Sequence, residues 1–339
     1  MASKIQKIPT NIITGFLGVG KTSAILHLLK NKPENERWAV LVNEFGEIGI
    51  DGSLLKGQYS ENSGVFIREV PGGCMCCAGG LPMQVALNQL LTKAKPDRLL
   101  IEPTGLGHPV EVLQILSDKF YQQILQVEKI LTLVDARNLT DRRYTEHDTF
   151  NQQISIADIV VGNKQDLYQG GEPALLESYV KNIVDSNITI SFTEQGRIDP
   201  QWLQGETAAI ARYAHHHHSS SNEVDLNTLD LNPLDLNSMD IPAAGYIKAE
   251  NEGEGFSSIG WRFDSNKVFN RKKLHVFLTG LNAERMKAVF ITEQGIFGYN
   301  LTRDALTEIE LDETLESRLE IIAYQRETQW QDDLLACVD

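Results

Sequence analysis

The first two hundred or so residues alternate short apolar runs with amphipathic stretches of helical length. Uninterrupted apolar runs such as residues 99–101 are typical of strands that are covered on both faces. The alternation predicts an α/β fold, a doubly wound and mostly parallel sheet with right-handed crossovers. The predicted strands span residues 11–14, 38–42, 65–70, 98–102, 130–135, 158–162 and 188–191, and the predicted helices include 22–31, 82–93 and 109–123.

The pattern changes after residue 205. Four consecutive histidines at 215–218 are followed by three serines and by a five-residue Asp-Leu-Asn repeat starting at Asp225. This period fits neither a helix nor a strand, and Asn and Asp favour turns. We predict a P-loop domain at 1–205, a His-containing low-complexity linker at 206–244 and a C-terminal domain at 245–339. A short recognition segment is the alternative for the repeat.

Regular patterning resumes at Gly245 and predicts a small α+β domain. A helix at 270–280 is predicted to end on its glycine. The domain carries no catalytic signature, and we expect it to recognise partners. Its predicted strands span residues 260–263, 286–291, 298–302 and 319–323.

The charge balance excludes some partners. The chain has 339 residues, a formal net charge of -15 and a sequence pI near 5.0. Duplex nucleic acid and anionic membranes both reward clustered Lys and Arg, so we predict neither as a partner. The N-terminus lacks the apolar core of a signal peptide, and no run approaches the roughly 18 apolar residues of a membrane span. These features predict a cytoplasmic protein.

A phosphate-binding loop is predicted at residues 15–22. The sequence Gly-Phe-Leu-Gly-Val-Gly-Lys-Thr matches G-x-x-x-x-G-K-[ST] and lies between a predicted strand and a predicted helix, a context that disfavours a chance glycine-rich turn. Lys21 is expected to reach the β- and γ-phosphates, and the Thr22 hydroxyl to ligate Mg²⁺. The predicted nucleotide-binding residues of this segment are Gly15, Gly18, Val19, Gly20, Lys21, Thr22 and Ser23.

The predicted strand at 98–102 ends on a carboxylate, as a Walker B strand does. Glu102 is expected to approach Mg²⁺ together with Thr22. Gly105, three residues later, is expected to offer its backbone N–H to the γ-phosphate. We therefore predict Lys21, Thr22 and Glu102 as the catalytic set, although no residue is evident as a general base.

The segment Asn163-Lys164-Gln165-Asp166 follows an apolar run and matches N-K-x-D. The Asp166 carboxylate can accept from both N1–H and the 2-amino group of guanine, whereas adenine offers neither donor there. Lys164 is expected to lie along the base, and Asn163 to hold the loop and contact the base edge. The pattern favours GTP over ATP and disfavours a P-loop metabolite kinase.

Three of the four cysteines lie in the sequence Cys-Met-Cys-Cys at residues 74–77. The thiols of Cys74, Cys76 and Cys77, on a glycine-flanked loop, can converge on a soft cation such as zinc or cuprous copper. A closed structural zinc site takes four ligands, so water, Glu69, His108 or a recipient protein remains as the fourth. The alternatives are a redox pair with C-x-x-C spacing and buried structural thiols.

The histidine run is a second candidate for metal binding. His215, His216, His217 and His218 can bind zinc, nickel or cobalt loosely. An affinity tag is disfavoured because the run is internal, and an inert polar linker is the alternative. The cysteine cluster lies between the phosphate loop and Glu102, where GTPases keep segments that respond to the γ-phosphate. We therefore expect metal binding and nucleotide state to be linked.

Taken together, these motifs resemble the CobW-like metallochaperone GTPases, relatives of the nickel-insertion GTPases, and the resemblance covers essentially the whole chain. The form of the Pro-Gly-Gly-Cys-Met-Cys-Cys segment is similar to the zinc-binding bacterial subgroup. The motifs that carry the resemblance are residues 14–22, Asn-Glu-Phe-Gly-Glu at 43–47, Gly-Cys-Met-Cys-Cys at 73–77, Glu-Pro-Thr-Gly-Leu-Gly at 102–107 and Asn-Lys-Gln-Asp at 163–166.

The resemblance implies slow GTP hydrolysis, metal binding at the cysteine motif and delivery of the metal to a client metalloprotein. It implies GTP, Mg²⁺ and Zn²⁺ as ligands, and we leave a homo-oligomer open. Cobalt-using relatives share the motif, so a cobalt or nickel insertion GTPase is one alternative. A zinc buffer in which GTP only sets the affinity is the other.

Overall fold

The computed structural model describes residues 7–42, 63–70, 81–184, 188–210, 241–253, 255–311 and 314–339. The cysteine motif, the Asn-Glu-Phe-Gly-Glu segment, the histidine run and the Asp-Leu-Asn repeat lie outside these residues. The described chain forms two compact units, one built mainly from residues before 211 and one from residues after 240. Within the described residues, no helix is long and apolar enough to cross a membrane.

The first unit is built on a mostly parallel sheet. The bounds of its strands are β1 Ile8–Gly15, β2 Trp38–Val42, β3 Val65–Glu69, β4 Arg98–Glu102, β5 Leu125–Val127, β6 Leu131–Val134, β7 Ile159–Gly162 and β8 Thr189–Phe192. The strand order is β3-β2-β4-β1-β6-β7-β8, and β5 pairs with the first residues of β1, ahead of β6. β2, β6 and β7 are buried along their whole length, which explains their uninterrupted apolar sequences.

Helices connect these strands as the alternation predicted. Their bounds are α1 Lys21–Lys30, α2 Leu81–Ala94, α3 Pro109–Leu116, α4 Tyr121–Ile124, α5 Arg142–Thr145, α6 Asp148–Ser155 and α7 Glu172–Ile183. The prediction of one helix over 109–123 is wrong, because α3 ends at Leu116. Asp118 Oδ1 accepts the backbone N–H of Phe120 at 2.8 Å, a local turn that competes with helical hydrogen bonds.

The second unit is an antiparallel sheet with helices, so the predicted α+β class is confirmed. Its strands are β9 Tyr246–Gly253, β10 Phe256–Phe263, β11 Arg285–Thr292, β12 Gly295–Leu301, β13 Leu306–Leu311 and β14 Ser317–Ala323, in the order β13-β12-β11-β14-β10-β9. The helices are α8 Arg271–Thr279 and α9 Trp330–Leu335. Alternate strand residues such as Trp261, Phe290 and Leu319 pack with Leu274 of α8 and Trp330 of α9 in one apolar core.

Ordered structure in the first unit continues past the predicted boundary at 205. Glu206 forms an isolated bridge with Glu128, and the side chain of Ala209 is buried. The Ala208 N–H donates to Asp158 Oδ1 at 2.9 Å. The first residues assigned to the linker therefore pack against the first unit, and the limits of the linker stay a prediction.

Candidate functional site

The loop between β1 and α1 requires glycine at two positions. Gly15 has φ +142° and Gly20 has φ +98°, both in the region that favours glycine. A Cβ on Gly15 would lie 2.3 Å from the carbonyl oxygen of Leu133, and one on Gly20 would lie 2.6 Å from Asn163 Nδ2. The loop can therefore lie directly against β6 and the segment after β7 only with glycine at these positions.

Lys21 is the first residue of α1 and its side chain is buried. Its Nζ donates to the carbonyl oxygens of Gly15 at 2.9 Å and Phe16 at 3.1 Å. Burying an ammonium group is costly without such partners. The loop's own backbone therefore holds this charge where the sequence motif predicts contact with phosphate.

Thr22 and Glu102 meet although 80 residues separate them in the sequence. The Thr22 hydroxyl donates to Glu102 Oε1 at 2.9 Å. Because β1 and β4 are adjacent parallel strands, the helix that follows β1 starts near the carboxyl end of β4. Glu102 is almost completely buried. A hydroxyl and a carboxylate are hard oxygen donors that fit Mg²⁺.

The segment after β4 approaches the phosphate loop closely. A Cβ on Gly105 would lie 3.0 Å from the backbone nitrogen of Leu17, so the backbone of this segment can lie this near only with glycine there. The segment turns tightly, since the Gly107 N–H donates to the Thr104 carbonyl at 3.1 Å. Gly105 thus lies beside the phosphate loop, and its contact with the γ-phosphate stays a prediction.

Asn163 ties three loops together. Its Nδ2 donates to the Val19 carbonyl at 2.8 Å, and its Oδ1 accepts the Gly196 N–H at 3.1 Å. The first contact reaches the phosphate loop and the second reaches the loop after β8. The predicted loop-holding role of Asn163 thus has a structural basis, whereas its contact with the base edge stays a prediction.

Lys164 and Asp166 lie at the exposed end of the same segment. Lys164 has φ +61°, and its Nζ lies 3.5 Å from Asp135 Oδ2. Asp135 is buried and also pairs with Arg137 at 2.6 Å. The Asp166 side chain is exposed, as a group that meets a ligand must be. These contacts fix the Lys164 stem while Asp166 stays accessible.

A model of the CobW/HypB/UreG nucleotide-binding domain matches residues 9–191 of the chain. The chain belongs to the CobW/HypB/UreG family. The matched region contains the phosphate loop, Glu102, Gly105 and the segment from Asn163 to Asp166. The family assignment therefore covers the residues that the fold brings together around Lys21.

Named relatives match different shares of the chain. The chain is 39% identical over 330 residues to the zinc chaperone YeiR of Escherichia coli, covering 95% of this chain and 94% of the relative. It is 29% identical over 245 residues to the zinc chaperone CobW of Pseudomonas aeruginosa, covering 63% and 65%. The Zn(II)-bound YjiA GTPase from Escherichia coli aligns over 98% of this chain and 99% of that structure, at 18% identity and a TM-score of 0.40.

None of the sequence motifs includes Tyr168. Its hydroxyl donates to the Asn163 carbonyl at 2.8 Å and accepts the Ala136 N–H at 3.3 Å. Burial raises the pKa of Tyr168 to about 12, so the O–H remains a donor at neutral pH. Tyr168 thus links the Asn163 segment to the segment that follows β6. A tyrosine two residues after an N-K-x-D motif gives no signal by itself.

The sequence motifs also do not include the loop after β8. Gly196 has φ +69°, and a Cβ there would lie 2.7 Å from the backbone nitrogen of Ala24 in α1. The loop therefore packs against the first turn of α1, beside exposed Ser23. The glycine three residues after Thr193 could have indicated a turn, but its contact with Asn163 depends on the whole sheet.

The predicted metal ligands Cys74, Cys76, Cys77 and His215 to His218 lie outside the described residues. Within the described part of the chain, no group of three or more His, Cys, Asp or Glu side chains could hold a metal. Of the two further candidates, Glu69 ends β3, close in sequence to the cysteines. His108 Nδ1 lies 3.1 Å from Gln152 Oε1, so one ring nitrogen is already engaged.

Proposed function

We propose that the protein is a GTP-hydrolysing zinc chaperone of the cytoplasm that delivers zinc to a client metalloprotein. The observation that carries this proposal is the convergence of buried Lys21, the Thr22–Glu102 hydrogen bond and the Asn163 segment around one loop. The sequence is 39% identical to that of a zinc chaperone over 95% of this chain, which supports the choice of metal.

The phosphate loop binds the nucleotide through backbone N–H groups, and Lys21 neutralises charge on the β- and γ-phosphates. Thr22 and Glu102 hold Mg²⁺, which neutralises the charge that develops on the phosphate oxygens. Gly105 donates its N–H to the γ-phosphate, which GDP lacks. This contact distinguishes GTP from GDP.

Guanine is selected by Asp166. Its exposed carboxylate accepts from N1–H and the 2-amino group, and a base without these donors leaves the carboxylate without its partners in the complex. Lys164 lies along the base, held by Asp135. We expect GDP to bind more tightly than ADP, and equal affinities would remove the guanine-specific part of the proposal.

Zinc is the cargo and is held by the thiolates of Cys74, Cys76 and Cys77. Three thiolates leave one position of a tetrahedral zinc ion for water, Glu69 or a ligand from the client. An incomplete ligand set favours transfer over storage. We expect the nucleotide state to change the zinc affinity, because the cysteine segment lies in the sequence between the phosphate loop and Gly105, the interval in which GTPases keep segments that respond to the γ-phosphate.

The test is zinc affinity by chelator competition, in Mg²⁺ with GDP and then with a non-hydrolysable GTP analogue. We expect a difference of about tenfold or more, roughly 1.4 kcal/mol of coupling. Equal affinities would leave a GTPase with a thiol zinc site but no nucleotide gate.

The ligands are tested by replacing Cys74, Cys76 and Cys77 together with Ser, which should abolish tight zinc binding. Cys337→Ser is the matched control. Cys337 is buried, and burial raises the pKa of its thiol to about 11, so it is not available as a thiolate. Zinc affinity unchanged in the triple variant would exclude the cysteine site.

A further inference from the structure

Gln153 of α6 is a completely buried amide that the phosphate and base motifs do not include. Its Nε2 donates to the carbonyl oxygen of Gly105 at 3.1 Å and makes a longer contact with that of Gly107 at 3.5 Å. Its backbone carbonyl accepts the Thr132 hydroxyl at 2.7 Å, which ties this point of α6 to β6. The side chain thus extends from a fixed backbone to the segment after β4.

Packing alone does not explain an amide at this position. A leucine or methionine would fill similar volume without the roughly 1–3 kcal/mol cost of burying a polar group. Within the described residues, no donor forms a hydrogen bond with the buried Gln153 Oε1. The oxygen of the amide therefore does not offset the cost of its own burial. The hydrogen bonds of Nε2 to the two loop carbonyls are what the amide gains over an apolar side chain.

The same helix also supports the phosphate loop. The ring of Phe150, one turn before Gln153, packs edge-on against Phe16 at 5.9 Å between centroids. Gly105 in turn lies against the backbone of Leu17. α6 therefore contacts both the phosphate loop and the segment after β4. The spacing between these two segments sets the direction of the Gly105 N–H.

We propose that Gln153 is a positioning residue that holds the turn after β4 so that the Gly105 N–H faces the γ-phosphate, and that it thereby sets the preference for GTP over GDP. The inference rests on the proposed nucleotide function. The Gly105 carbonyl lies in the central peptide of the turn that the Gly107 N–H closes on the Thr104 carbonyl, whereas the Gly105 N–H lies in the peptide just before it. Holding the Gly105 and Gly107 carbonyls therefore fixes the central peptide of the turn and the peptide after the turn, and so limits rotation of the Gly105 backbone. GDP lacks the γ-phosphate, so its binding does not depend on this orientation.

The test compares Gln153→Leu and Gln153→Met with the unaltered protein in Mg²⁺. Both variants remove the donor, and methionine keeps the unbranched shape of the glutamine side chain. Affinities are measured for GDP and for a non-hydrolysable GTP analogue, and thermal unfolding is followed in parallel. Gln152→Leu is the matched control, since its amide is on the same helix but contacts the His108 ring.

We expect both Gln153 variants to bind GDP as the unaltered protein does and to lose about tenfold in affinity for the analogue, equivalent to about 1.4 kcal/mol. The control should stay within about twofold. An unchanged preference in folded variants, or an equal loss for both nucleotides, would overturn the positioning role. If Gln153→Leu does not fold, Gln153→Met decides. Failure of the unaltered protein to bind either nucleotide would instead reject the proposed function.

Discussion

The two sheets place their buried polar side chains at different points along the strands. In the parallel sheet, Glu102 is the last residue of β4, while Asp135 and Asn163 directly follow β6 and β7. In the antiparallel sheet, Arg262 and Lys287 lie within β10 and β11. All five side chains are less than one-tenth exposed, so burial alone does not distinguish the two regions.

The difference lies in what each arrangement leaves for a ligand. The carboxyl ends of parallel strands share one edge of the sheet, so polar groups there converge on the loops. In the antiparallel sheet, charged groups pair with each other. Arg262 holds Glu316 through two contacts of 2.7 and 2.8 Å, and Arg318 contacts the same carboxylate. In the first unit, buried Glu102 and Asn163 therefore lie at a candidate site and Asp135 supports it through its pair with Lys164, whereas in the second unit buried Arg262 pairs within the sheet.

The largest effect is expected from Lys21→Met compared with Lys287→Met. The two lysines are buried to the same degree, and Lys287 lies opposite Glu320 across β11 and β14. Loss of Lys21 should lower the rate of GTP hydrolysis by about 10²–10³, as removal of one group that stabilises transition-state charge does. Lys287→Met should lower thermal stability and leave hydrolysis by the folded protein within about twofold. Similar losses of GTP hydrolysis in the two variants would show that the buried lysines of the two units do not differ in function.

Asp166→Asn tests whether Asp166, at the exposed end of the Asn163 segment, recognises guanine. Xanthine carries a carbonyl where guanine carries the 2-amino group, so an amide can donate there where a carboxylate cannot. We expect the preference for GDP over XDP to fall by about 100-fold, measured as the ratio of the two dissociation constants. Asp148→Asn, in the first turn of α6, is the control. An unchanged ratio would place guanine recognition elsewhere.

The sequence predicted those parts of the fold whose apolar pattern is strong. Buried β2 and β4 have the predicted bounds, whereas β9 and β13 were missed. Both are edge strands of the second sheet, and β13 has mostly exposed side chains with Glu308 and Glu310 along it. Charges on an edge strand discourage pairing with other chains, and they also weaken the apolar signal of a strand.

The site was predictable where chemistry follows a contiguous motif. The motifs singled out Lys21, Thr22 and Glu102, and Thr22 and Glu102 are in contact, while the catalytic roles of all three stay predictions. The roles of Gln153 and Tyr168 depend on which backbone carbonyls they meet, and these contacts arise from the packing of helices and loops onto the sheet. Periodicity and spacing do not encode such contacts.

Glu316→Gln tests whether the buried charges of the second unit stabilise the fold without affecting nucleotide binding. Burial opposes ionisation of Glu316, but Arg262 and Arg318 together lower its pKa. Removing the charge leaves buried Arg262 without its carboxylate, and we expect a loss of about 2–3 kcal/mol in the free energy of unfolding, somewhat below the range for fully buried pairs. Guanine-nucleotide affinity should be unchanged. The measurement is denaturant unfolding, with Glu310→Gln as the exposed control.

The pH dependence of this pair has a defined sign. Because the folded-state pKa lies below the unfolded value of about 4.3, the stabilisation is present above about pH 4.3 and is lost as the pH falls through the folded-state pKa. The stability difference between the unaltered protein and Glu316→Gln should therefore shrink on acidification below about pH 4.3. A difference that stays constant would contradict the ion pair as its source.

The smallest effect is expected from Tyr168→Phe, which removes only the hydroxyl that links the Asn163 carbonyl to the Ala136 N–H. One hydrogen bond contributes about 0.5–1.5 kcal/mol, so GDP affinity should fall by about three- to tenfold. The loss should be constant between about pH 6 and 9, because the pKa of Tyr168 is raised to about 12 and its O–H remains protonated throughout. Tyr179→Phe removes another partly buried hydroxyl of the first unit, which contacts Thr145 and Asn151, and should leave GDP affinity unchanged. Equal effects in the two variants would mean that Tyr168 stabilises the first unit without orienting the base-binding segment.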